Sequence, residues 1–540
     1  MRRSIFLPIL FLFLKSVPLH SAEADIIVYG GTSGAVVAAL AARQAGKSVI
    51  MVSPDQHLGG LTSGGLGWTD LGKDTILGGL SREFYHRVWL HYKQPSAWFT
   101  GEVPAKVSGQ NGPGMDSANQ IMTVFEPKVA EQIFTDWLKE SGIAVEHGRL
   151  DLMKDVEKDG AKITAFRTED GREFRGKVFI DATYEGDLMA RAGVPYTLGR
   201  EPSSRYGESI NGLQIARAVK NQLPPKVDPY VKKGDPASGL LPGVNPTPAV
   251  PDGAGDDLIQ AYCYRMCLTD DPANRISVEK PAGYREEDYE ILFRAIEAGQ
   301  KGTFFKLSPM PNHKTDSNND GGISTDLIGG SQHYPEGGYA QREAIARAHE
   351  MWQRGLLWTL QNHPRVPEAI RKAYAKWGLP KDEFTDNAHW SPALYVREAR
   401  RMVGDYVLTQ PILDKAKPSA RPVALGAYAM DSHNVQRIVG ADGFLHDEGD
   451  VQKPIAKPYQ IDYGVLLPRR EKCENLLVPF CISASHAAFG SVRMEPVFMV
   501  LSESAAAAAS LAIDHGIPVQ DVPYPELQQK LIAAKQCLNP

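Results

Sequence analysis

The hydrophobic pattern near the start of the chain predicts a strand, a tight turn, a helix and a second strand. Residues 25–29 are apolar and β-branched, as expected for a buried parallel strand. The Ala-rich apolar run 36–44 predicts a helix that covers one face of a sheet, and 49–52 predicts the second strand. The turn consists of Gly30, Gly31, Thr32, Ser33 and Gly34. This pattern is the first half of a βαβ unit that binds a dinucleotide, with the helix N-terminus directed at the pyrophosphate.

The turn departs from the G-x-G-x-x-G pattern of dinucleotide sites. Thr32 and Ala35 stand at the second and third glycine positions, and alanine is accepted at the third. Ser53 ends the second strand, where an acid usually binds the ribose, and Asp55 follows it closely. An ordinary strand–helix turn is the alternative, but the length of the unit and its place at the start of the predicted mature chain favour a nucleotide site.

The segment 57–70, HLGGLTSGGLGWTD, follows the second strand and has five glycines in the nine residues 59–67. Its apolar residues favour a loop that wraps the cofactor over a flexible surface loop. Further on, 127–141 predicts a helix, 143–174 predicts a meander of short strands, and 177–183 predicts a strand that leads into a helix within 184–193. In FAD domains such a meander typically leads to a second strand whose end lies near the nucleotide. NAD domains instead continue with further βα units.

The central part of the chain has a different pattern. Residues 216–255 are rich in Pro, Gly and Lys and predict irregular structure, and 307–336 predicts a polar loop. Helices are predicted over 257–269, 285–299, 338–354 and 367–377. From 456 the pattern of an FAD domain returns, with a strand at 474–479 and a small-residue helix at 497–514. The chain therefore predicts an FAD-binding domain made of 25–215 and 456–540, with a mostly helical or mixed substrate domain, 216–455, inserted into it.

Composition and the N-terminus restrict the setting. The chain has 540 residues, 43% apolar and 23% charged, with a net charge of −5, which gives no electrostatic case for nucleic acid. Arg2 and Arg3, the apolar run 5–14 and the small residues up to Ala24 predict a signal peptide, 1–24, cleaved after Ala22 or Ala24. The protein is therefore expected in the periplasm or secreted, by the Sec or the twin-arginine route; an uncleaved anchor is the alternative. No later run is expected to cross a membrane.

The five cysteines, Cys263, Cys267, Cys473, Cys481 and Cys537, contain no C-x-x-C pair, which argues against an iron–sulfur or zinc site. Asp316, Asn318 and Asp326 lack the spacing of an EF-hand loop, so no metal site is predicted. Cys263 and Cys267 would share one face of the helix predicted there, where core packing is favoured over a redox pair.

Several motifs together resemble the bacterial exported FAD-dependent oxidoreductase family that is loosely labelled xanthan-lyase-like. This family is distantly similar to the flavin module of heterodisulfide reductase. The resemblance extends over nearly the whole mature chain. The motifs include YGGTSGAV (29–36), HLGGLTSGGLGWTDLG (57–72), FIDATYEGDLMARAGV (179–194), HWSPALYVREARRMVG (389–404), DSHNVQR (431–437) and ISASHAAFGSVRMEPVFMVLSESAA (482–506).

The resemblance implies an α/β, glutathione-reductase-like fold with FAD between the first βαβ unit, the turn 181–187 and the segment 486–503. Gly30, Gly31 and Gly34 would hold the pyrophosphate, Asp187 would lie near the ribityl–phosphate region, and Arg493 would lie near the flavin. The other cofactor residues that follow from these positions are Thr32, Ser33, Ser53, Gly59, Gly60, Ala182 and Thr183. Three departures stand against the family pattern: Ser53 replaces the ribose-binding acid, Ser502-Glu503 replaces Gly-Gln in the last helix, and the iron–sulfur cysteines of the reductase relatives are absent.

When flavin takes a hydride from a C–H bond, a base must take the proton of the neighbouring alcohol or amine group. His486, His389, His433 and His333 are candidates. We predict His486, Arg493 and His389 as catalytic residues, the first two because they lie in the segment expected at the flavin; a histidine packed behind the cofactor is the alternative for His486. His389, beside Trp390, would bind a sugar ring or anchor a domain interface. Arg397, Arg400 and Arg401, predicted on one helix, would hold an anion or form a salt-bridged face.

The sequence therefore favours an exported FAD-dependent oxidoreductase. It would take hydride from an alcohol or amine carbon of a polar substrate such as a carbohydrate and pass electrons to an acceptor that the sequence does not identify. The alternative is a carbohydrate lyase or glycan-binding protein on a flavoprotein-like scaffold without FAD, supported only by the departures at Ser53 and Glu503. The predicted meander and the C-terminal return disfavour an NAD-dependent enzyme.

Overall fold

The computed structural model of the chain describes residues 21–73, 76–218, 220–300 and 302–540. Most of the predicted leader, 1–24, therefore lies outside the described residues. The first strand begins at Ser21, within that predicted leader, and pairs with a later strand from its first residue. Cleavage after Ala22 or Ala24 would shorten this strand but keep its fully buried part, 26–29.

The strands of the described residues are β1 Ser21–Tyr29, β2 Val49–Ser53, β3 Met115–Asp116, β4 Ile121–Met122, β5 Ala144–His147, β6 Glu157–Asp159, β7 Lys162–Arg167, β8 Glu173–Asp181, β9 Tyr196–Thr197, β10 Val244–Asn245, β11 Cys263–Tyr264, β12 Met266–Thr269, β13 Arg275–Ile276, β14 Phe305–Met310, β15 Lys314–Asn319, β16 Leu379–Pro380, β17 Leu394–Tyr395, β18 Arg401–Met402, β19 Pro422–Gly426, β20 Met430–Ser432, β21 Gln436–Val439, β22 Leu445–Glu448, β23 Val451–Lys453, β24 Tyr459–Asp462 and β25 Leu476–Leu477.

The helices of the same residues are α1 Ser33–Gln44, α2 Gly79–Tyr92, α3 Pro127–Glu140, α4 Asp187–Arg191, α5 Glu290–Glu297, α6 Tyr339–Asn362, α7 Glu368–Tyr374, α8 Gln410–Asp414, α9 His486–Val492, α10 Glu495–His515 and α11 Tyr524–Ala533.

The main sheet of the described residues has seven strands in the order β5-β2-β1-β8-β7-β6, with β25 also paired to β8. Strands β5, β2, β1, β8 and β25 are parallel, whereas β6, β7 and β8 form an antiparallel meander. The predicted strand–turn–helix–strand unit and the predicted meander are confirmed. β25 returns the chain to this sheet at Leu476, and the bounds of the three predicted segments, 25–215, 216–455 and 456–540, stay predictions.

Helices α1 and α10 pack against each other beside the sheet. α1 begins at Ser33, earlier than predicted, because the hydroxyl of Thr32 caps it by accepting the Ala35 N–H at 3.1 Å. An added Cβ at Gly34 would overlap the Phe480 ring and the hydroxyl of Ser502 on α10. The small residues of both helices therefore let their backbones approach closely.

Helix α10 corrects one expectation about membranes. Over 18 residues its mean hydropathy is 1.6, so by length and composition it could cross a bilayer, contrary to the prediction that no later run is apolar enough. However, 89% of that window is buried inside the protein. The apolar run is explained by a core position, since a helix that is hydrophobic on all sides is one that is covered on all sides.

The segment 257–269 is extended and not helical as predicted. Its alternate residues Tyr262, Tyr264, Met266 and Leu268 belong to one apolar core cluster, which is the period of a strand. Cys263 pairs with Tyr395 in β17, and Cys267 pairs with Asp316 in β15. The two cysteines therefore lie on different strands and do not share a helix face.

The segment 307–336, predicted as a polar loop, contains a β-hairpin. Strands β14 and β15 form an antiparallel hairpin across it. Lys314 and Asp316 of β15 are buried, and each is ion-paired with residues distant in sequence. Local polarity misleads here because a buried strand can carry charge when remote partners neutralise it.

The three arginines predicted on one helix lie outside the helices of the described residues, and Arg401 begins β18. Each is buried in a different ion pair: Arg397 with Asp326, Arg400 with Asp187, and Arg401 with Glu201 and Glu398. They form neither a common anion site nor a solvated helix face. Arg400 and Arg401 thereby join the central segment, 216–455, to residues of the first segment, whereas Arg397 pairs within the central segment.

Candidate active site

A cavity of about 780 Å³ crosses the carboxyl ends of β5, β2, β1 and β8. We call it the dinucleotide cavity, because ligands of open α/β sheets bind outside the carboxyl ends of the strands. Of the predicted cofactor residues, those that line it are Gly31, Thr32, Gly60, Thr183 and Asp187. Gly30, Ser33, Gly34, Ser53, Gly59 and Ala182 pack behind its wall and do not line it, and Arg493 lines a second cavity.

The residues behind the wall hold the turn in shape. Gly30 has φ +142°, and an added Cβ would lie 2.5 Å from the carbonyl oxygen of Ala182. The Thr32 hydroxyl donates to that same oxygen at 2.8 Å. Thr32 therefore joins the ends of β1 and β8, which explains a side chain at the second glycine position.

The acid expected at the end of β2 is displaced along the chain. Ser53 is fully buried, and its hydroxyl donates to the Asp55 carbonyl at 2.7 Å, so it does not face the cavity. Asp55 is exposed and lines the dinucleotide cavity, together with Arg149 beyond β5. This position makes Asp55 the candidate for the ribose-binding acid, two residues after the place where the sequence pattern expects one.

Asp187 lies in the wall of this cavity but is already neutralised. Arg342 binds it through two hydrogen bonds of 2.6 and 2.8 Å, and Arg400 adds one of 2.8 Å. Burial opposes the charge of Asp187, but the two guanidinium groups outweigh it and lower the pKa of the carboxyl. Arg400 is also paired with Glu336 at 2.8 Å, so the charges at this wall are balanced, and Arg342 is the guanidinium that lines the cavity.

The loop 57–70 runs between this cavity and a second one. Residues 61–67 are buried, so the alternative of a flexible surface loop is wrong. Gly60 lines the dinucleotide cavity, whereas Trp68 and Asp70 line the second cavity. The wrapping role predicted for the loop stays a prediction, but its path joins the two cavities.

Glu495, at the start of α10, forms hydrogen bonds with residues of α1, of the loop 57–70 and of the turn after β8. It is buried and accepts hydrogen bonds from Ser33 at 2.6 Å, Thr62 at 2.8 Å and Tyr184 at 2.6 Å. Burial raises the pKa of this carboxyl. The cluster links α1, the loop and α10 between the two cavities, and it escaped prediction because its members are far apart in the chain.

The second cavity, of about 430 Å³, contains Arg493; we call it the substrate cavity. Arg493 is buried and donates to the Tyr395 hydroxyl at 2.9 Å and to Asp431 Oδ2 at 3.2 Å. Arg265 binds Asp316 through two hydrogen bonds of 2.6 Å. Among the described residues, Nε of Arg493 and one terminal nitrogen of Arg265 have no hydrogen-bond partner.

The polar lining of the substrate cavity was only partly predicted. Asp431 and His433 belong to the DSHNVQR motif, and Trp68 and Asp70 belong to the glycine-rich motif, so the sequence contained a signal for them. Tyr395 lies in the 389–404 motif, but nothing in the sequence places it or Arg265 at this cavity. Their positions depend on β11, β12 and β17, of which β11 and β12 fall where a helix was predicted.

His486, predicted as the base, lines neither cavity. Its Nδ1 lies 2.8 Å from Glu398 and its Nε2 lies 3.1 Å from the Ser432 hydroxyl. Burial, with Arg401 nearby, lowers its pKa well below the usual value. With both ring nitrogens engaged, His486 matches the structural alternative.

His389 does not line either cavity. It has a left-handed backbone with φ +60°, and its Nδ1 lies 3.1 Å from the Glu383 carbonyl oxygen. This contact with the 380–384 turn fits an anchoring role better than sugar binding. The catalytic roles predicted for His486 and His389 have no geometric support.

The departures in the last helix have structural roles. The Glu503 carboxylate accepts the Leu80 N–H at 2.9 Å, so it caps α2. Ser502 packs against Gly34 in the α1–α10 contact. Neither Ser502 nor Glu503 lines a cavity, so the replacement of Gly-Gln places no carboxylate in the wall of the dinucleotide cavity.

Three carboxylates outside both cavities have the arrangement of a cation site. Glu126, Asp382 and Glu383 offer ligand oxygens within 4.8 Å of one another. The buried ammonium of Lys314 already lies 2.7, 2.8 and 2.5 Å from them. The lysine takes the place that a metal ion would need, so this cluster is a buried ion-pair network.

The dinucleotide cavity fits FAD by size and by donors. Its volume lies within the range of small-molecule sites, about 300–1,000 Å³. The turn at the N-terminus of α1 and Arg342 would hold the pyrophosphate, and Asp55 would hold a ribose. Gly31 and Asp187 line this cavity, and the roles of all the predicted cofactor residues stay predictions.

Solved structures share only a limited likeness with the chain. The flavin-dependent brominase Bmp2 is 17% identical over 33% of this chain and 42% of its own, with a TM-score of 0.23. The L-amino acid deaminase from Proteus vulgaris is 14% identical over 33% of this chain and 52% of its own, with a TM-score of 0.22. The chain therefore spans about half, or less, of these proteins, and such scores carry no argument about function. No curated protein matches the chain.

A family model matches far more of the chain than the solved structures do. The family model described as FAD dependent oxidoreductase matches residues 25–531, nearly the whole chain after the predicted leader. This match includes the βαβ turn, both cavities and α10. The predictions of FAD as cofactor and of an oxidoreductase agree with this match: the chain belongs to the FAD dependent oxidoreductase family.

Proposed function

We propose that the protein oxidises an alcohol or amine carbon of a polar, hydroxyl-rich substrate, such as a carbohydrate, bound in the substrate cavity. The observation that carries this proposal is the lining of that cavity. Guanidinium, carboxylate and amide groups surround it, together with the aromatic rings of Trp68, Tyr395 and Tyr428. Sugars and polyols offer hydroxyls for the polar groups and C–H faces for the rings.

The charges of the cavity favour such a substrate over a strong anion. Arg265 is paired with Asp316, and Arg493 is paired with Asp431. Asp70 lies 3.8 Å from Arg265 as a further acid. Since the buried cations are already matched by carboxylates, their free N–H groups are suited to donate to neutral hydroxyl or carbonyl oxygens.

The chain's own groups would bind and orient the reacting carbon. When bound, FAD supplies the acceptor for a hydride. Arg493 immediately precedes the residue that caps α10, and the positive end of this helix dipole adds to its charge. An oxygen that gains negative charge as its proton leaves would be stabilised by Arg493 and the Tyr395 hydroxyl, which is protonated at neutral pH because burial raises its pKa.

Export to the periplasm or the medium is part of the proposal. It is supported by the basic and apolar pattern of residues 1–24. The five cysteines are free, so the fold does not depend on a disulfide and is compatible with either compartment. Mass spectrometry of the N-terminus of the exported protein tests cleavage after Ala22 or Ala24.

The lyase or glycan-binding alternative has no remaining support from the residues that suggested it. Asp55 lines the cavity close to where the sequence pattern expects an acid, and Glu503 caps α2. Neither departure therefore argues against a bound cofactor.

The proposal is tested by mixing the FAD-loaded protein anaerobically with a panel of neutral sugars, alditols, uronic acids and amino sugars. We expect loss of the oxidised flavin absorbance with at least one hydroxyl-rich compound, and formation of the matching carbonyl product by mass spectrometry. Reduction only by apolar amines or aromatic compounds would contradict the proposed substrate class.

A further inference from the structure

The substrate cavity also contains a histidine–carboxylate pair. His433 lines the cavity, and its Nδ1 lies 2.7 Å from Oδ2 of Asp326. Its Nε2 has no hydrogen-bond partner among the described residues, and Asp431 Oδ2 lies 3.8 Å away. An ionised Asp326 can only accept, so Nδ1 carries the proton and Nε2 presents its lone pair to the cavity.

Asp326 is held in its charged form by a second partner. Arg397, which is fully buried, lies 3.0 Å from Oδ1 of Asp326. Burial opposes the charge of Asp326, but Arg397 and His433 outweigh it and lower the pKa of this carboxyl. The carboxylate therefore stays ionised and fixes both the orientation and the tautomer of the imidazole.

The groups around His433 keep its ring neutral at pH 7. Burial lowers the pKa of His433 below its usual value, and Arg397 adds to that effect, while Asp326 and Asp431 oppose it. Asp450, on the turn between β22 and β23, also contributes negative charge, although burial raises its pKa to about 7. The backbone N–H of His433 donates to Gln260, which fixes the loop.

Other groups of the cavity are less suited to take a proton. The carboxylate of Asp431 is already engaged in an ion pair with Arg493 at 3.2 Å. The pKa values of Tyr395 and Tyr428 are raised, so both rings keep their protons. Among the described residues that line this cavity, His433 is the one imidazole.

Resting on the proposed function, we infer that His433 is the general base of this enzyme and Asp326 its positioning residue. Nε2 takes the proton from the substrate hydroxyl as the C–H bond breaks. The two electrons of that bond leave as hydride to the oxidised flavin, and the carbon becomes a carbonyl. The flavin is reduced by two electrons, and the proton on His433 is later released to solvent.

The kinetic test uses His433→Gln, which keeps a polar amide but cannot take the proton. We expect flavin content and substrate KM to stay near those of the wild type, while the rate of flavin reduction falls about 10²–10⁴-fold. Added imidazole should restore part of the rate. A variant that folds, binds FAD and reduces it at the wild-type rate would overturn the inference.

A second test does not depend on turnover. In protein labelled with ¹⁵N-histidine, the resonances lost in His433→Gln identify His433. We expect a neutral ring with Nδ1–H at pH 7 and a titration below the usual pKa. A proton on Nε2, or a charged ring at pH 7, would overturn the inference.

The two tests separate the proposed function from the base assignment. If the ring behaves as expected but no hydroxyl-rich compound reduces the flavin, the proposed function fails and the base assignment with it. If a hydroxyl-rich compound reduces the flavin but the ring has the wrong tautomer, only the base assignment is rejected.

Discussion

The Glu503 carboxylate shows how a single unusual residue acquires its role from a remote partner. It is 4% exposed and accepts the Leu80 N–H at the first turn of α2. The carboxyl lacks a cationic partner in the described contacts, and burial raises its pKa from 4.5 to about 7. Because the folded state binds this proton more tightly, the contribution of Glu503 to stability is lost as the pH rises from about 4.5 to about 7.

Replacing the acid by its amide should therefore stabilise the protein at alkaline pH. Gln at 503 keeps the acceptor for Leu80 but cannot ionise. We expect Glu503→Gln to raise the free energy of unfolding by about 1–3 kcal/mol at pH 8, and to leave it nearly unchanged at pH 4. Denaturant titrations at both pH values measure this. Glu503→Ala is the control, because it loses the acceptor and should be less stable at both; a destabilised Glu503→Gln at pH 8 would contradict the assigned role.

The second residue-scale prediction concerns the displaced ribose acid. Removing the side chain in Asp55→Ala should raise the dissociation constant for FAD about 10- to 100-fold, because hydrogen bonds to a charged acceptor contribute about 1.5–3 kcal/mol. Asp386→Asn is the control, since Asp386 lines the same cavity but its side chain is 68% exposed and follows no strand of the sheet. Fluorescence titration of apoprotein with FAD measures both. Equal affinities of Asp55→Ala and wild type would reject the ribose role.

At the scale of elements, the close contact of α1 with α10 positions the turn. Gly34 has no room for a Cβ, whereas Gly46, after the same helix, has open space around it but φ +76°. The two glycines are thus required for different reasons, packing in the first case and backbone conformation in the second.

This difference makes a matched pair of alanine substitutions. Gly34→Ala should lower the free energy of unfolding by about 2–3 kcal/mol through overpacking, and flavin content should fall as the turn shifts. Gly46→Ala should cost about 1 kcal/mol through its left-handed backbone and leave flavin content unchanged. Thermal unfolding and the flavin-to-protein absorbance ratio measure both. The α1–α10 contact would be misassigned if Gly34→Ala were the more stable of the two.

Elements with one strong local period were predictable, and elements that depend on remote partners were not. The unit 25–52 and the meander follow from runs of apolar residues and turn residues. The segment 257–269 was misassigned because its alternating residues were taken for a helix, although they pack with period two.

The same reason explains the candidate site. Arg493 could be predicted from its motif, whereas the pairing of His433 with Asp326 joins residues 107 positions apart. His486 is of the residue type that usually serves as a base, but its ring nitrogens contact Glu398 and Ser432. No local sequence pattern predicts these two contacts. Residue identity indicated the chemistry, and the tertiary contacts decided which histidine faces the cavity.

At the scale of the whole molecule, two cavities meet at one buried cluster. The dinucleotide cavity lies at the strand ends of the main sheet, and the substrate cavity is lined by residues of β14, β15, β17 and β20 together with Trp68, Asp70 and Arg493. Glu495, with its three hydroxyl donors, holds the junction. This arrangement separates cofactor binding from substrate binding, so each should be removable without the other.

The most direct test of this separation is anaerobic flavin reduction in a variant with a filled substrate cavity. Ser308, on β14, lines that cavity and is only partly buried, so Ser308→Trp places an indole in it, while Ser308→Ala leaves it open. We predict that Ser308→Trp retains bound FAD at the wild-type level but is no longer reduced by the compound that reduces the wild type, whereas Ser308→Ala is reduced normally. Reduction of Ser308→Trp at the wild-type rate, with FAD bound, would show that the substrate reacts elsewhere and would contradict the assignment of the two cavities.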